Sequence, residues 1–281
     1  MAIRVLVTGA TGTVGSEVVR QLSATDAEIR IAARRPTSDN SRAEAVALDL
    51  DRPETFGPAL DGVDKLFLLP PNLSNGEEIN RFVDAAKQAG VRHIVKLSSL
   101  GIDREPQYTF GKLHKAMEQY IEASGVPYTF LRPNFFMQNY LTMPTIKEQG
   151  AIFHSLGDAR TSHIDVRDIA AVAVAALTGS EHEGKRYELT GPEALSEYDV
   201  AAILSKITGR TINYVVVPEE AVRQSLQDAG TPDALVAGLM DLFAFQKAGH
   251  AAFVTSDVEN VLGRKPISFE QFARDHVEAF K

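Results

Sequence analysis

The chain has 281 residues, 44% of them apolar and 23% charged, which suits one large α/β domain or a domain with a smaller companion. Its formal charge of −8 argues against a general nucleic-acid binder, which would carry a basic face. The absence of cysteine excludes disulfides, thiol nucleophiles and thiolate metal sites, and the 7 histidines show no metal-ligand spacing, so no metal is expected.

The first apolar run, IRVLVTG (3–9), reads as a buried strand and leaves no room for a signal peptide before it. No later run approaches the roughly 18 apolar residues of a membrane span. A cytoplasmic protein without membrane attachment is the expectation, and no feature sets an oligomeric state. After the first strand come a helix over SEVVRQLSA (16–24) and strands at EIRIAAR (28–34), AVALDL (45–50) and DKLFLLPP (64–71). EEINRFVDAAKQAG (77–90) has the pattern of a helix ending at a glycine. HIVKLSSLG (93–101) is a fifth strand, a helix follows over about 108–123, and PYTFLRP (127–133) is a sixth strand. Continuous apolar strands separated by helices predict an α/β fold with a doubly wound parallel sheet covered on both faces.

Beyond Pro133 the periodicity loosens until HIDVRDIAAVAVAALTG (163–179), where Asp168 is the expected N-cap of an alanine-rich helix. KRYELTG is a further strand. The tail carries helices near 197–208, 219–229, 232–248 and 268–280 and a strand at INYVVV (212–217). The expected division is a dinucleotide-binding domain over 1–135, with 160–185 returning to it. Residues 136–159 and 186–281 form a smaller C-terminal α/β substrate lobe, in which Met240, Phe243 and Phe245 are expected in the core.

The sequence VTGATGTVG places Gly9, Gly12 and Gly15 directly after the first strand and into the first helical turn. In that context Gly9 permits the tight turn, Gly12 lets backbone N–H groups approach a pyrophosphate, and Gly15 lets helix and sheet pack closely. Thr11, Thr13 and Val14 complete this Rossmann-type cradle, and the helix N-terminus adds partial positive charge. An NAD site keeps a carboxylate at the end of the second strand for the ribose hydroxyls. Here that place holds Arg34 and Arg35, whose forks suit a 2′-phosphate, so NADPH is expected over NADH. Asp49, after the third strand, is assigned near the adenine. Leu69, Pro70 and Pro71 end the fourth strand and are expected along the ribose and nicotinamide. Ser98 and Ser99 end the fifth strand, where a hydroxyl would orient the cofactor or substrate.

Tyr108 and Lys112 stand in the spacing Y-x-x-x-K, and Phe110 and His114 stand at the same separation. At about 100° per residue, Phe110, Leu113, Met117 and Ile121 form one stripe with His114 and Ala116 on its margins. Tyr108, Lys112, Lys115 and Gln119 fall opposite and are expected to face water. Tyr108 lies at or before the helix start, however, so a loop turning it inward stays open as a second reading.

VTGATGTVG, GVRHIVKLSSLG, GKLHKAMEQYIEASGVPYTFLRPNFFMQN and HIDVRDIA together resemble the NmrA-like, atypical short-chain dehydrogenases. That group includes NADPH:quinone oxidoreductases, triphenylmethane and azo-dye reductases, and redox-sensing regulators. The resemblance spans nearly the whole chain. It implies that His114 and Glu118 occupy the place of the usual catalytic lysine, with Phe110 in the place of the usual tyrosine. It also implies that Pro133, Asn134 and Phe135 close over the nicotinamide and that Phe136 stacks on a planar acceptor.

Loss of the tyrosine has a chemical meaning. Hydride addition to a ketone gives an alkoxide, whose conjugate acid resembles water at about 15.7, and needs a positioned proton donor. Hydride addition to a quinone gives a delocalised phenolate-like anion nearer the value of about 10 for tyrosine. The expected function is therefore NADPH-dependent hydride transfer to a small conjugated, electron-poor acceptor, with His114 and Ser99 as candidate catalytic groups. Two alternatives stay open. One is a non-catalytic NADP(H)-binding redox sensor that controls a protein partner. The other is an ordinary carbonyl reductase acting through Tyr108.

Overall fold

A computed structural model describes residues 2–35, 43–71 and 76–281. The first half alternates as its sequence requires: β1 (Arg4–Val7), α1 (Thr13–Leu22), β2 (Glu28–Ala33), β3 (Ala43–Ala47), α2 (Phe56–Leu60), β4 (Lys65–Leu68), α3 (Glu77–Gln88), β5 (His93–Leu97), α4 (Thr109–Ser124) and β6 (Tyr128–Pro133). The short α2, like the 3-10 turn at Pro53–Thr55 before it, is an element of this half that periodicity did not disclose. Its five residues, Phe-Gly-Pro-Ala-Leu, are too few to show a repeat.

The stretch after Pro133 that showed no clear period resolves into a 3-10 turn (Met137–Thr142), α5 (Pro144–Gln149), β7 (Ala151–His154) and β8 (Arg160–Thr161). There follow α6 (Val166–Thr178), β9 (Lys185–Leu189), β10 (Leu195–Ser196), α7 (Glu197–Thr208), β11 (Asn213–Val216), α8 (Glu219–Asp228), α9 (Asp233–Lys247), α10 (Asp257–Leu262), α11 (Phe269–Asp275) and α12 (Val277–Phe280). Two expectations are corrected here. Asp168 is not an N-cap: α6 starts two residues earlier, at Val166, and Asp168 sits fully buried in its first turn. The single helix expected over 268–280 is divided at His276, whose φ of −115° leaves the helical region.

The main sheet has seven strands in the order β3-β2-β1-β4-β5-β6-β9. The pairings among its first six strands are all parallel. The order reverses direction at β1, with β2 on one side and β4 on the other, so this is a doubly wound sheet with a switch point beside the glycine turn. The residues of its central strands β1, β4, β5 and β6 are nearly all buried on both faces, as parallel strands covered by helices must be. On one face Met117 and Ile121 of α4 pack with Ile94, Phe130, Phe82 and Ile79. Each such side chain contributes about 1.5–3 kcal/mol on burial, and together they fix α4 over β5 and β6.

The chain forms two compact units. The first comprises residues 1–99, 113–132 and 166–187, and the second residues 100–112, 133–165 and 188–281. The second has its own core, in which Tyr140, Ile152, Leu204, Phe269 and Phe272 gather. Met240 and Phe243 lie in another cluster of that unit with Leu156 and Val236. No helix among the described residues is long and apolar enough to cross a membrane.

Candidate functional site

In the first unit β1 leads into the turn at Gly9, whose φ of +64° is in the left-handed region that favours glycine. Gly12 N–H donates to the Gly9 carbonyl at 3.0 Å, and α1 begins at once at Thr13. A Cβ added at Gly15 would lie 2.1 Å from the Gly9 carbonyl oxygen, so only glycine lets α1 start this close to the strand. The α1 N-terminus has no side-chain cap and no acidic residue in its first turn. Thr11, Gly12 and Thr13 are exposed beside it, while Val14 is buried in the core. Uncapped N–H groups and an unopposed helix dipole fit the phosphates of a dinucleotide.

Leu69 lies against this turn: a Cβ at Gly9 would meet its side chain at 3.1 Å. The Leu69 N–H donates to Thr8 Oγ1 at 2.8 Å, which ties the end of β4 to the end of β1. Pro70 is buried and Pro71 exposed. Arg34 and Arg35, just past β2, are both exposed, and neither joins an ion pair among the described residues. Asp49 closes the turn after β3, where its Oδ1 accepts the Asp51 N–H at 3.1 Å.

At the C-terminal ends of β5 and β6 lies a buried polar cluster whose members come from three elements. Lys96 and Ser98 alternate with Ile94 along β5 and its extension, so all three face α4. His114 and Glu118 are one turn apart on α4, and Arg132 ends β6. Glu118, 3% exposed, accepts from Arg132 Nε at 3.1 Å and from Arg132 Nη2 at 2.6 Å. The Ser98 hydroxyl donates to the same carboxylate. Lys96, fully buried, donates from Nζ to the Leu97 carbonyl at 3.2 Å, and its Nζ lies within hydrogen-bond distance of His114 Nδ1 at 2.9 Å. Burial pushes the Lys96 ammonium down to about 7. Burial, with Lys96 beside it, holds His114 neutral, well below the ordinary histidine range. Ser99 follows at half-burial.

Lys96 and Arg132 were missed as site residues because each sits inside an apolar strand run. The signal was present nonetheless. A lysine and an arginine in strands buried on both faces require polar partners, and α4 offers them at the i, i+4 pair His114 and Glu118.

In the second unit Tyr108 corrects the helical-wheel expectation. It precedes α4, is 2% exposed rather than water-facing, and donates its hydroxyl to the Leu100 carbonyl at 2.7 Å. Its ring lies on Phe245, with centroids 4.6 Å apart. Lys112 is exposed. Phe110 turns against α9, where a Cβ at Gly238 would meet its ring at 2.8 Å. The apolar stripe of α4 is thus shared out: Met117 and Ile121 go to the sheet and Phe110 to α9. Ala116, assigned to its margin, is exposed.

Pro133 is buried. Asn134 ties three segments of this unit together: its N–H donates to Leu189 O at 3.0 Å, and its Nδ2 donates to Ser162 Oγ at 2.8 Å and Ala251 O at 2.9 Å. Phe135 packs edge-on to His163 at 5.9 Å and on the cluster of Met240 and Phe243. Phe136 is half-buried and bridges to Ile164. A further buried cluster lay outside sequence reasoning. Tyr140 Oη lies 2.9 Å from His163 Nε2 and 2.9 Å from Glu197 Oε1, and burial raises the Glu197 carboxyl to about 7. Among the described residues no group of three or more histidine or acidic side chains is placed to hold a metal ion.

Comparison with known proteins identifies relatives over nearly the whole chain. The chain is similar to an NAD(P)H azoreductase of Xenophilus azovorans, with 38% identity over 98% of this chain and 99% of that protein. Among solved structures it is similar to the NADPH complex of the quinone oxidoreductase QOR2 from Escherichia coli, with a TM-score of 0.87, 27% identity and coverage of 98% and 100% of the two chains. It is also similar to the NADP(H) complex of the Citrobacter sp. triphenylmethane reductase, with a TM-score of 0.86, 25% identity and coverage of 98% and 99%. A sequence model described as the NmrA-like family matches residues 1–273. The chain therefore belongs to the NmrA-like family and is an oxidoreductase.

Proposed function

We propose that the protein is a cytoplasmic NADPH-dependent reductase of small conjugated, electron-poor acceptors such as quinones and azo compounds, and that it works without a tyrosine acid. The observation that carries this reading is the Tyr108 hydroxyl held by the Leu100 carbonyl, while Phe110 takes the tyrosine place one turn before His114. The azoreductase and quinone oxidoreductase relatives support the acceptor class. The first unit serves as the dinucleotide-binding domain and the second as the substrate lobe. The bound nicotinamide supplies hydride. The glycine turn and the α1 N-terminus hold the pyrophosphate, and Arg34 and Arg35 hold the 2′-phosphate. Asp49, Leu69, Pro70, Pro71 and Ser98 line the cofactor, and Ser99 is a second catalytic group beside it. His114 stays neutral and donates a hydrogen bond to the developing phenolate-like oxygen. Water supplies the proton, since so weak a base does not need a strong acid beside it.

The test is NADPH consumption followed by absorbance with a naphthoquinone and an azo dye, with NADH run beside it. Turnover preferring NADPH is expected. Tight binding of NADPH without turnover of any acceptor would favour a redox sensor instead. Tyr108→Phe is expected to keep kcat within about 3-fold and to cost about 1 kcal/mol of stability through the lost hydrogen bond. Loss of a true proton donor would instead cost about 10²–10⁴-fold in kcat, and that result would restore the carbonyl-reductase reading. Removing both forks in Arg34→Ala/Arg35→Ala is expected to raise KM for NADPH by about 10–100-fold, as for lost hydrogen bonds to a charged group, and to leave NADH unchanged. Equal losses for both cofactors would remove the 2′-phosphate assignment.

A further inference from the structure

Lysine is an unexpected residue in the middle of β5. The strand is buried on both faces, and Lys96 is fully buried, so an aliphatic side chain would satisfy the packing without the cost of desolvating an ammonium. Nor does Lys96 complete a salt bridge among the described residues. The neighbouring carboxylate, Glu118, is already held by Arg132 and Ser98. The charged and titratable groups facing Lys96 are His114 and Glu118 from α4 and Arg132 from β6. The fields of Glu118 and Arg132 act on it in opposite senses. Its specific partner is a histidine nitrogen, Nδ1 of His114, at 2.9 Å.

We infer that Lys96 is a positioning residue which fixes the tautomer of His114. An ammonium donates and never accepts, so the Nδ1 facing it must be the bare, accepting nitrogen. The ring proton is then confined to Nε2, and His114 meets a ligand as a hydrogen-bond donor through Nε2–H. The tautomer follows from this geometry for as long as Lys96 carries its proton. Its use toward a reduced acceptor rests on the reading in the preceding subsection.

The arrangement carries a pH signature. While Lys96 is an ammonium the tautomer is fixed. Once it loses its proton, at about 7, the amine can itself accept from Nδ1–H, and the ring is free to take either form. His114 does not protonate in this range. The Nε2–H population therefore falls as pH rises through about 7.

The experiment is long-range proton–nitrogen correlation NMR on the full-length protein labelled at histidine, with His114 assigned by its loss in His114→Asn. At pH 6 the native protein is expected to show Nδ1 unprotonated and Nε2 protonated, and a mixture should grow in above pH 7. Lys96→Met is expected to show the mixture at every pH. A protonated Nδ1 at pH 6 would overturn the inference, as would a ring unmoved by pH in the native protein and by Lys96→Met. The native titration needs no variant, so it decides the matter even where Lys96→Met folds poorly. In turnover, Lys96→Met should lower kcat for a naphthoquinone by about 10-fold, the lost worth of one hydrogen bond to a developing charge. It should also abolish the alkaline fall of kcat near pH 7 and leave NADPH affinity unchanged. Native kcat and pH profile retained in a variant whose tautomer is released would overturn the donor role while leaving the reductase reading standing. A native protein that turns over no acceptor would sink the reductase reading, and the NMR result would stand apart from it.

Discussion

Glu118→Gln is expected to destabilise the protein by about 3–5 kcal/mol, read as a fall of about 6–15 °C in the melting temperature. The carboxylate accepts three hydrogen bonds from two elements, Arg132 Nε and Nη2 on β6 and the Ser98 hydroxyl at the end of β5. A glutamine has the same shape but carries one amide nitrogen. Whichever way the amide turns, that nitrogen presents a donor to a donor. The larger part of the loss lies with Arg132, which is 5% exposed and would lose the carboxylate that holds its Nε and Nη2. The loss thus comes from breaking the pair, and the pair's net worth is a separate quantity. Replacing the ion pair and its serine with apolar side chains, in Ser98→Ala/Glu118→Leu/Arg132→Met, should recover most of the stability, because the arginine's charge is removed together with its partner's. Lys96 would be little affected by that triple change, since it loses one favourable and one unfavourable neighbour together. Thermal melts of the two variants beside the native protein decide the point. A Glu118→Gln protein melting within 1 °C of the native one would mean that Arg132 finds another anion or water, and that the cluster is not closed as described.

Gly15→Ala is expected to remove dinucleotide binding, by at least about 100-fold in Kd, and to lower stability by about 1–3 kcal/mol. A methyl group 2.1 Å from the Gly9 carbonyl oxygen, 2.6 Å from its carbon and 2.9 Å from Ala10 Cα meets backbone on every side. No rotamer relieves this, so either the turn opens or α1 slides outward, and in both cases the first-turn N–H groups leave their positions. Gly12→Ala is the informative companion. There φ is −87°, which any residue adopts, and an added Cβ would find only the Gly9 carbonyl oxygen at 3.4 Å, an ordinary contact. That variant should melt with the native protein, so any weakening of NADPH binding in it reports the ligand's approach and not the fold. Bound-NADPH fluorescence gives both affinities, and the chain has no tryptophan to interfere. Native-like NADPH binding by Gly15→Ala would mean that the α1 terminus does not hold the pyrophosphate.

The sheet and the glycine turn were legible because both follow from local rules. Buried parallel strands announce themselves as unbroken apolar runs, and the roles of Gly9 and Gly15 need only strand–turn–helix order. Tyr108 was misplaced because the wheel assumes a helix that has not yet begun there. One residue before α4, the backbone is free to turn the ring inward onto Phe245. Lys96 and Arg132 were hidden for another reason. Hydrophobic periodicity identifies a strand by its majority and passes over its exceptions, and here the exceptions build the buried polar cluster. Tyr140, His163 and Glu197 come from segments separated by 23 and 57 residues, a meeting that no spacing rule foretells.

The order in which the two units take their residues bears on how such a protein is made and inherited. The first unit needs residues 166–187 before it has all its parts, and by then the chain has already laid down 100–112 and 133–165 of the second. Even α4 is divided, with Phe110 and Lys112 in the segment of one unit and His114 and Glu118 in that of the other. A ribosome therefore completes the first unit only after it has made two segments of the second, and a message cut short of residue 187 yields neither half. No single break in the gene could lend one unit to another protein. New specificity must arrive as substitutions within the segments, with the interleaving itself passed on whole.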